Sequence, residues 1–120
     1  MVNVKFQRLQ TTIQRLLTNI LQKEVKDENE VLQKLIITGV KLNNDRTIAK
    51  VYYDSLVFQE QKQIIELAIK QNLWLIRKKL GQQLTIYKVP QLIFVYDQSL
   101  SESRKIEDIL NKIKKDSSNF

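Results

Sequence analysis

Lys88-Val89-Pro90-Gln91-Leu92-Ile93-Phe94-Val95-Tyr96-Asp97-Gln98-Ser99-Leu100 is the stretch whose reading decides how this chain folds. Pro90 opens a run of β-branched and aromatic residues, at the end of a strand where a missing N–H costs least. Leu92, Phe94 and Tyr96 alternate with Ile93 and Val95, the two-residue period of a half-buried strand. Asp97 closes the run, and Ser99-Leu100-Ser101-Glu102 has capping-box spacing for the start of a last helix. A catalytic carboxylate needs a partner acid, base or metal shell, and none is written around Asp97. Capping or turn formation near Ser99 is its expected role.

Upstream, Leu35 to Leu42 reads as a strand, Asn43-Asn44-Asp45 as a turn, and Thr47 to Asp54 as the return strand of an antiparallel hairpin. Alternation places Thr38, Val40 and Leu42 on one face, joined through pairing by Ala49, Val51 and Tyr53. Ile48, Lys50 and Tyr52 then look outward. Phe6, Leu9, Ile13, Leu16, Leu17, Ile20 and Leu21 recur at three- and four-residue spacing, so the first helix turns an apolar stripe to a core. The polar run Glu24 to Glu30 ends it. Residues from about Gln59 to Gln83 are helical in composition. Ile64, Ile65, Leu67, Ala68 and Ile69 are expected to pack its first half, and Leu73, Ile76, Leu80 and Leu84 its second. Lys70-Gln71-Asn72 interrupts the apolar pattern, and a kink or short break is expected there. Gly81 is either a late C-cap or a position of close contact. The last helix would present Ile106, Ile109, Leu110 and Ile113, with fraying from Lys114 to Phe120. The order α-β-β-α-α-β-α lacks strict βαβ alternation. It predicts an α+β fold, a three-stranded sheet covered by helices on one face.

Composition narrows the chemistry. At 120 residues the chain is long enough for one core and too short for two. A single domain over residues 1–115 with a flexible tail at 116–120 is expected. Net charge is +7, which favours an anionic partner, nucleic acid before a membrane surface. Lysine outnumbers arginine 15 to 5 and Ile, Asn and Gln abound, a bias that also fits low-GC codon usage. The absence of Cys excludes disulfides and thiolate metal sites, and the absence of His removes the usual general base. No Gly-rich phosphate loop or internal repeat occurs. Met1 to Gln10 has no apolar core of a signal peptide, and no run reaches the roughly 18 apolar residues that span a bilayer. A cytoplasmic protein without cofactor, metal or small-molecule substrate is the expectation.

Read in order, these segments resemble the ribosome-binding factor A family, bacterial factors of small-subunit maturation. The resemblance runs from about Arg8 to Leu110. It rests on Arg8-Leu9, on Ile20-Leu21-Gln22-Lys23-Glu24-Val25-Lys26-Asp27, and on Thr38-Gly39-Val40 with Asp45 and Ala49-Lys50-Val51-Tyr52. Ile76-Arg77 with Leu80 and Leu84 extends it, as do Val89-Pro90, Leu92, Phe94 and Asp97-Gln98-Ser99. Each motif alone is weak, whereas the set in this order and spacing is specific. The resemblance implies a type II KH-like topology with a kinked second helix. Where the family places a small-residue alanine-x-glycine kink, this chain has Asn72 and Trp74. Thr85 and Tyr87 stand where the family is often basic, and Gln91 where Glu is common. The GxxG loop by which ordinary KH domains clamp a nucleotide backbone is absent.

Arg77-Lys78-Lys79, flanked by Lys70 and Lys88, is the densest basic group and the leading candidate for phosphate contact, with a solvated helix face as the plainer alternative. The resemblance supports Arg77 in particular. Trp74, the sole tryptophan, aligns at helical spacing with Arg77, Lys78 and Gly81. It either stacks on a splayed base or fills a packing gap at a helix junction, and the second is the commoner use and the expectation. Arg8 and Arg15 lie two turns apart on the polar side of the first helix, as phosphate contacts or a plain solvated face. Arg104 and Lys105 fall in the first turn of the last helix, where the dipole disfavours cations, a weak hint of a partner. Tyr53, Phe94 and Tyr96 are expected in the core. Tyr52, Ile48, Ile93 and Val95 would leave a partly apolar open sheet face.

The resemblance implies a non-enzymatic assembly factor, monomeric off the ribosome. It would bind the free or immature 30S subunit and 16S rRNA and assist late maturation and 5′-end processing, with a phenotype sharper in the cold. A general KH-like module for single-stranded RNA and a basic membrane-surface protein are the alternatives. The missing GxxG loop argues against the first, and a core that must claim the first helix's stripe against the second.

Overall fold

The computed structural model describes residues 4–55, 58–84 and 88–97. Helix α1 (Val4–Asn19) runs into one π-turn (Ile20–Glu24). A 3₁₀ turn (Leu32–Lys34) leads to β1 (Ile36–Leu42) and β2 (Ile48–Asp54), and α2 (Phe58–Gln83) precedes β3 (Gln91–Tyr96). The fold is α+β, with one mixed sheet in the order β1-β2-β3, β1 antiparallel and β3 parallel to β2. Both helices contribute to a single core with the sheet's inner face. Among the described residues no helix is long and apolar enough to cross a membrane. The expected last helix, with Arg104, Lys105 and the tail, lies outside the described residues.

Three cross-sheet rungs form the inner face: Leu42–Ala49–Leu92, Val40–Val51–Phe94 and Ile37–Tyr53–Tyr96. The third corrects the expected alternation. Between Ile37 and Gly39 the register slips, so Ile37 opposes Tyr53, Gly39 opposes Tyr52, and Thr38 is the extra residue of a β-bulge. The bulge turns Ile37 into the core in place of Thr38, whose hydroxyl instead donates to Asp97 Oδ2 at 2.7 Å. Tyr53 is 3% exposed and its ring meets those of Phe94 and Tyr96, both of which are half-buried against the core.

Helix α1 commits its stripe to this core, with Ile13, Leu17, Ile20 and Leu21 fully buried. It also closes the free edge of β1. Gln14 Nε2 donates to the Ile37 carbonyl at 3.1 Å, and Gln10 Oε1 accepts from the Leu42 N–H at 2.9 Å. Two glutamines one helical turn apart thus satisfy backbone groups that an open edge strand would offer to another chain. The π-turn carries the Val25 N–H to the Ile20 carbonyl and rotates Val25 inward. Asp27 then accepts from the N–H groups of Val31 and Leu32, at 3.1 and 3.0 Å, and fixes the 3₁₀ turn. The acidic end of the family motif is therefore a cap.

Helix α2 does not break at Lys70-Gln71-Asn72. Its one non-helical dihedral pair is at Gln61 (φ −124°, ψ 25°). Lys70 and Gln71 are polar because they face solvent, while Ile69, Ile76 and Leu80 continue the buried side. Asn72 stays helical, its Nδ2 donating to the Ala68 carbonyl one turn back. The first half is also more exposed than its composition suggests, since only Ile65, Ala68 and Ile69 are buried and Ile64 and Leu67 point outward.

Candidate nucleic-acid interface

The turn between β1 and β2 is built by its side chains. Asn43 Oδ1 accepts from the Ile48 N–H, and Asp45 Oδ1 accepts from both the N–H and the hydroxyl of Thr47. Those two Thr47 bonds hold the Asp45 carboxyl below its ordinary pKa. The turn leaves Arg46 in the left-handed region at φ 62°, with its guanidinium 5.7 Å from the Phe6 ring centre. An arginine held there implies a turn determined by its surroundings.

Across from this turn, α2 approaches the lead-in to β3. A Cβ built on Gly81 would stand 2.8 Å from Val89 Cγ2, so position 81 is a close-contact position and not a C-cap. One turn earlier, Arg77 donates from Nη2 to the Val89 carbonyl at 2.8 Å and from Nε to the Pro90 carbonyl at 3.2 Å. Its first task is therefore to hold the β3 lead-in against α2. A guanidinium carries five donors in a fixed fork, so these two bonds leave three N–H groups for other partners, and Arg77 also lines the cleft. Next, the Gln91 N–H finds the Thr47 carbonyl at 2.8 Å and starts the parallel ladder.

The cleft so formed has a volume of about 520 Å³; Leu9 and Leu42 line it together with the cations Arg46, Arg77 and Lys88, with Thr47, and with the one carboxylate of Asp45. Two further hollows flank Trp74. One, of about 470 Å³, is bounded by Arg77, Lys78, Gly81 and Val89, and the other, of about 490 Å³, by Lys70, Leu73, Arg77, Gln91 and Leu92. Trp74 itself is 72% exposed, with Lys78 Nζ 5.1 Å from its ring centre. The expectation that it fills a packing gap is overturned. With α2 kinked only at Gln61 and continuous through Asn72, there is no junction beside position 74 to fill, and Trp74 lies on the solvent side.

Four of the candidate cations, Lys70, Arg77, Lys78 and Lys88, thus converge on one region of the surface. Arg46 joins them, unforeseen because only its backbone conformation and the packing of the turn bring it there. Lys79, Arg8 and Arg15 line none of these three hollows. The open sheet face carries Ile93 at 38% exposure with half-buried Ile48, Tyr52 and Val95, as read from alternation.

A family model described as Ribosome-binding factor A matches residues 5–110. A ribosome-binding factor A of Mycoplasmoides gallisepticum is 35% identical over 116 residues, covering 97% of this chain and 95% of that protein. The crystal structure of ribosome-binding factor A from Thermus thermophilus superposes with a TM-score of 0.64 at 21% identity, over 76% of this chain and 93% of that one. A homology model of the Thermus thermophilus factor, fitted into the cryo-EM map of a 30S complex, gives 0.60 at 18% identity over the same shares.

Proposed function

The chain belongs to the ribosome-binding factor A family, and from that premise we propose that it binds the free or immature 30S subunit and assists late maturation of 16S rRNA, including its 5′-end processing, without catalysing a reaction. The end-to-end match over residues 5–110 carries this reading, and the 30S complex of the Thermus thermophilus factor supports it. The geometry supplies a physical means. A rigid α+β body presents Arg46, Lys70, Arg77, Lys78 and Lys88 around adjoining hollows, a surface suited to phosphates of folded RNA.

A factor of this kind works by differential affinity. It shifts rRNA toward one conformation only to the extent that it binds that conformation more tightly. Loss of the protein therefore leaves precursor rRNA unprocessed, most visibly in the cold, where misfolded RNA escapes slowly. The protein acts in the cytoplasm, as a monomer off the ribosome. A membrane-surface role is disfavoured, because the stripe of α1 that would enter a bilayer is already buried in the core.

Co-sedimentation with isolated small subunits, large subunits and assembled ribosomes at low and moderate salt tests the proposal. Selective recovery with small subunits, reduced in the Lys78→Glu, Lys88→Glu double variant, is the expected result. Equal recovery with every particle that vanishes at moderate salt would sink it. Arg77 is left intact in this test because its guanidinium holds the β3 lead-in.

A further inference from the structure

We propose that Trp74 is a stacking platform for one unpaired RNA base. The base lies on the indole over the hollow lined by Leu73, Gln91 and Leu92, and its flanking phosphates lie toward Lys70 and Arg77. This inference rests on the RNA-binding reading above and names a particular contact within it.

An exposed tryptophan in the middle of a long helix leaves the largest apolar side chain of the chain in water. Here the exposure comes with a built setting. Lys78 lies one turn toward the C-terminus and covers one side of the ring with its ammonium. Lys70 lies one turn toward the N-terminus and lines, with Trp74 itself, the hollow of about 490 Å³. Its lining includes half-buried Leu73 and buried Leu92, and exposed Gln91 adds an amide able to bond the edge of a base. The backbone beneath the ring is fixed, because Ile76 and Leu80 on the other side of α2 are fully buried.

Charge selects the occupant. Three cations, Lys70, Arg77 and Lys78, border the two hollows beside the ring, and neither lining contains a carboxylate. A polyanion with planar apolar groups fits this combination, and RNA is such a molecule. The base must be unpaired and unstacked, since the faces of bases within a duplex are occupied by their neighbours. This contact does not need the GxxG loop, because the ring and not a clamped backbone provides the hold.

Trp74 is the sole tryptophan, so its fluorescence reports this contact alone. The full chain is titrated with single-stranded oligoadenylate of about ten nucleotides, within the usual span of a single-strand site, and with duplex RNA of equal length. Small-subunit co-sedimentation is run in parallel. Strong quenching by the single strand and little by the duplex is expected. Because these variants lack the reporter ring, their binding and that of the parent are read from the anisotropy of an end-labelled oligonucleotide. There Trp74→Ala should weaken binding by about fivefold or more and Trp74→Phe by much less, both with an unchanged salt slope. Trp74→Ala leaves the fold intact, since the ring is exposed and alanine favours a helix. If the single strand does not quench, or Trp74→Ala binds it as tightly as the parent, the platform is refuted, while selective small-subunit recovery leaves the ribosomal reading standing. If quenching and its dependence on Trp74 hold but small subunits are not recovered, the ribosomal reading falls and the platform remains. Quenching by polyglutamate and not by RNA would make the site one for acidic protein and overturn the proposal.

Discussion

Arg77 Nη2 donates to the Val89 carbonyl at 2.8 Å, joining the exposed side of α2 to the residue that precedes Pro90. The adjoining Nε bond reaches the Pro90 carbonyl itself. Pro90 cannot donate a hydrogen bond, so the carbonyls of this lead-in are its principal handles, and a planar cation grips two at once. The arginine that the family resemblance singles out is thus structural first and electrostatic second. Variants at this position mix the two effects.

Replacing Arg77 should therefore destabilise the fold. Arg77→Ala is expected to lower unfolding free energy by about 1–2 kcal/mol, and Arg77→Lys to recover only part, because an ammonium cannot reproduce the fork. Urea unfolding measures both. An Arg77→Lys midpoint equal to that of the parent would show that the two carbonyl bonds contribute nothing.

Gly81 and Val89 should be coupled. Alanine at 81 gains about 1 kcal/mol of helix propensity, but its Cβ would sit 2.8 Å from Val89 Cγ2. Overpacking of that kind typically costs about 1–3 kcal/mol. Gly81→Ala is expected to be neutral or destabilising in the parent and stabilising in a Val89→Ala background. A double-mutant cycle with no coupling would mean that the helix and the lead-in separate freely.

Tyr53 sets an alkaline limit. Burial, then the charges of Glu66 and Tyr96, push its phenol up to about 12 from an ordinary value of 10.0. Across that interval the unfolded chain releases the proton and the folded chain keeps it. The unfolded state then binds fewer protons, so stability falls as pH rises from about 10 to 12 and is fully present below 10. Partial solvent screening keeps the loss below about 3 kcal/mol. Comparing urea midpoints of the parent and Tyr53→Phe isolates it, because the two chains differ only in that hydroxyl. Parallel curves over the interval would rule the effect out.

Arg46 should separate stability from binding. Glycine at φ 62° relieves roughly 1–2 kcal/mol of left-handed strain, against loss of the Phe6 contact, about 0.5–1 kcal/mol, and the greater chain entropy of glycine. Arg46→Gly is expected to unfold within about 1 kcal/mol of the parent yet be recovered less with small subunits at moderate salt. Undiminished recovery would remove Arg46 from the interface.

Much of this was legible from spacing. The stripe of α1, the hairpin, the proline-led strand and the alignment of Trp74 with Arg77, Lys78 and Gly81 all follow from period and turn chemistry. Misreadings arose where a polar residue had two local explanations. Lys70-Gln71-Asn72 looked like a break because a solvent-facing turn and a helix end use the same residue types. Thr38 looked inward because strict alternation passes over a bulge, although Gly39 beside it was the available sign.

The sequence by itself determined the first helix, the hairpin, the second helix and the proline-led strand, the family and the basic character, because each depends on local periodicity or on the summed pattern of residues. Only the tertiary structure decided that β3 lies parallel to β2, that Thr38 reaches Asp97, that Arg77 holds Val89 and that Trp74 stands in solvent between two hollows. Each of these depends on groups brought together from separate elements, Thr38 and Asp97 being 59 positions apart. Local propensity carries no record of such pairings, which become energetically meaningful only once the core has closed around them.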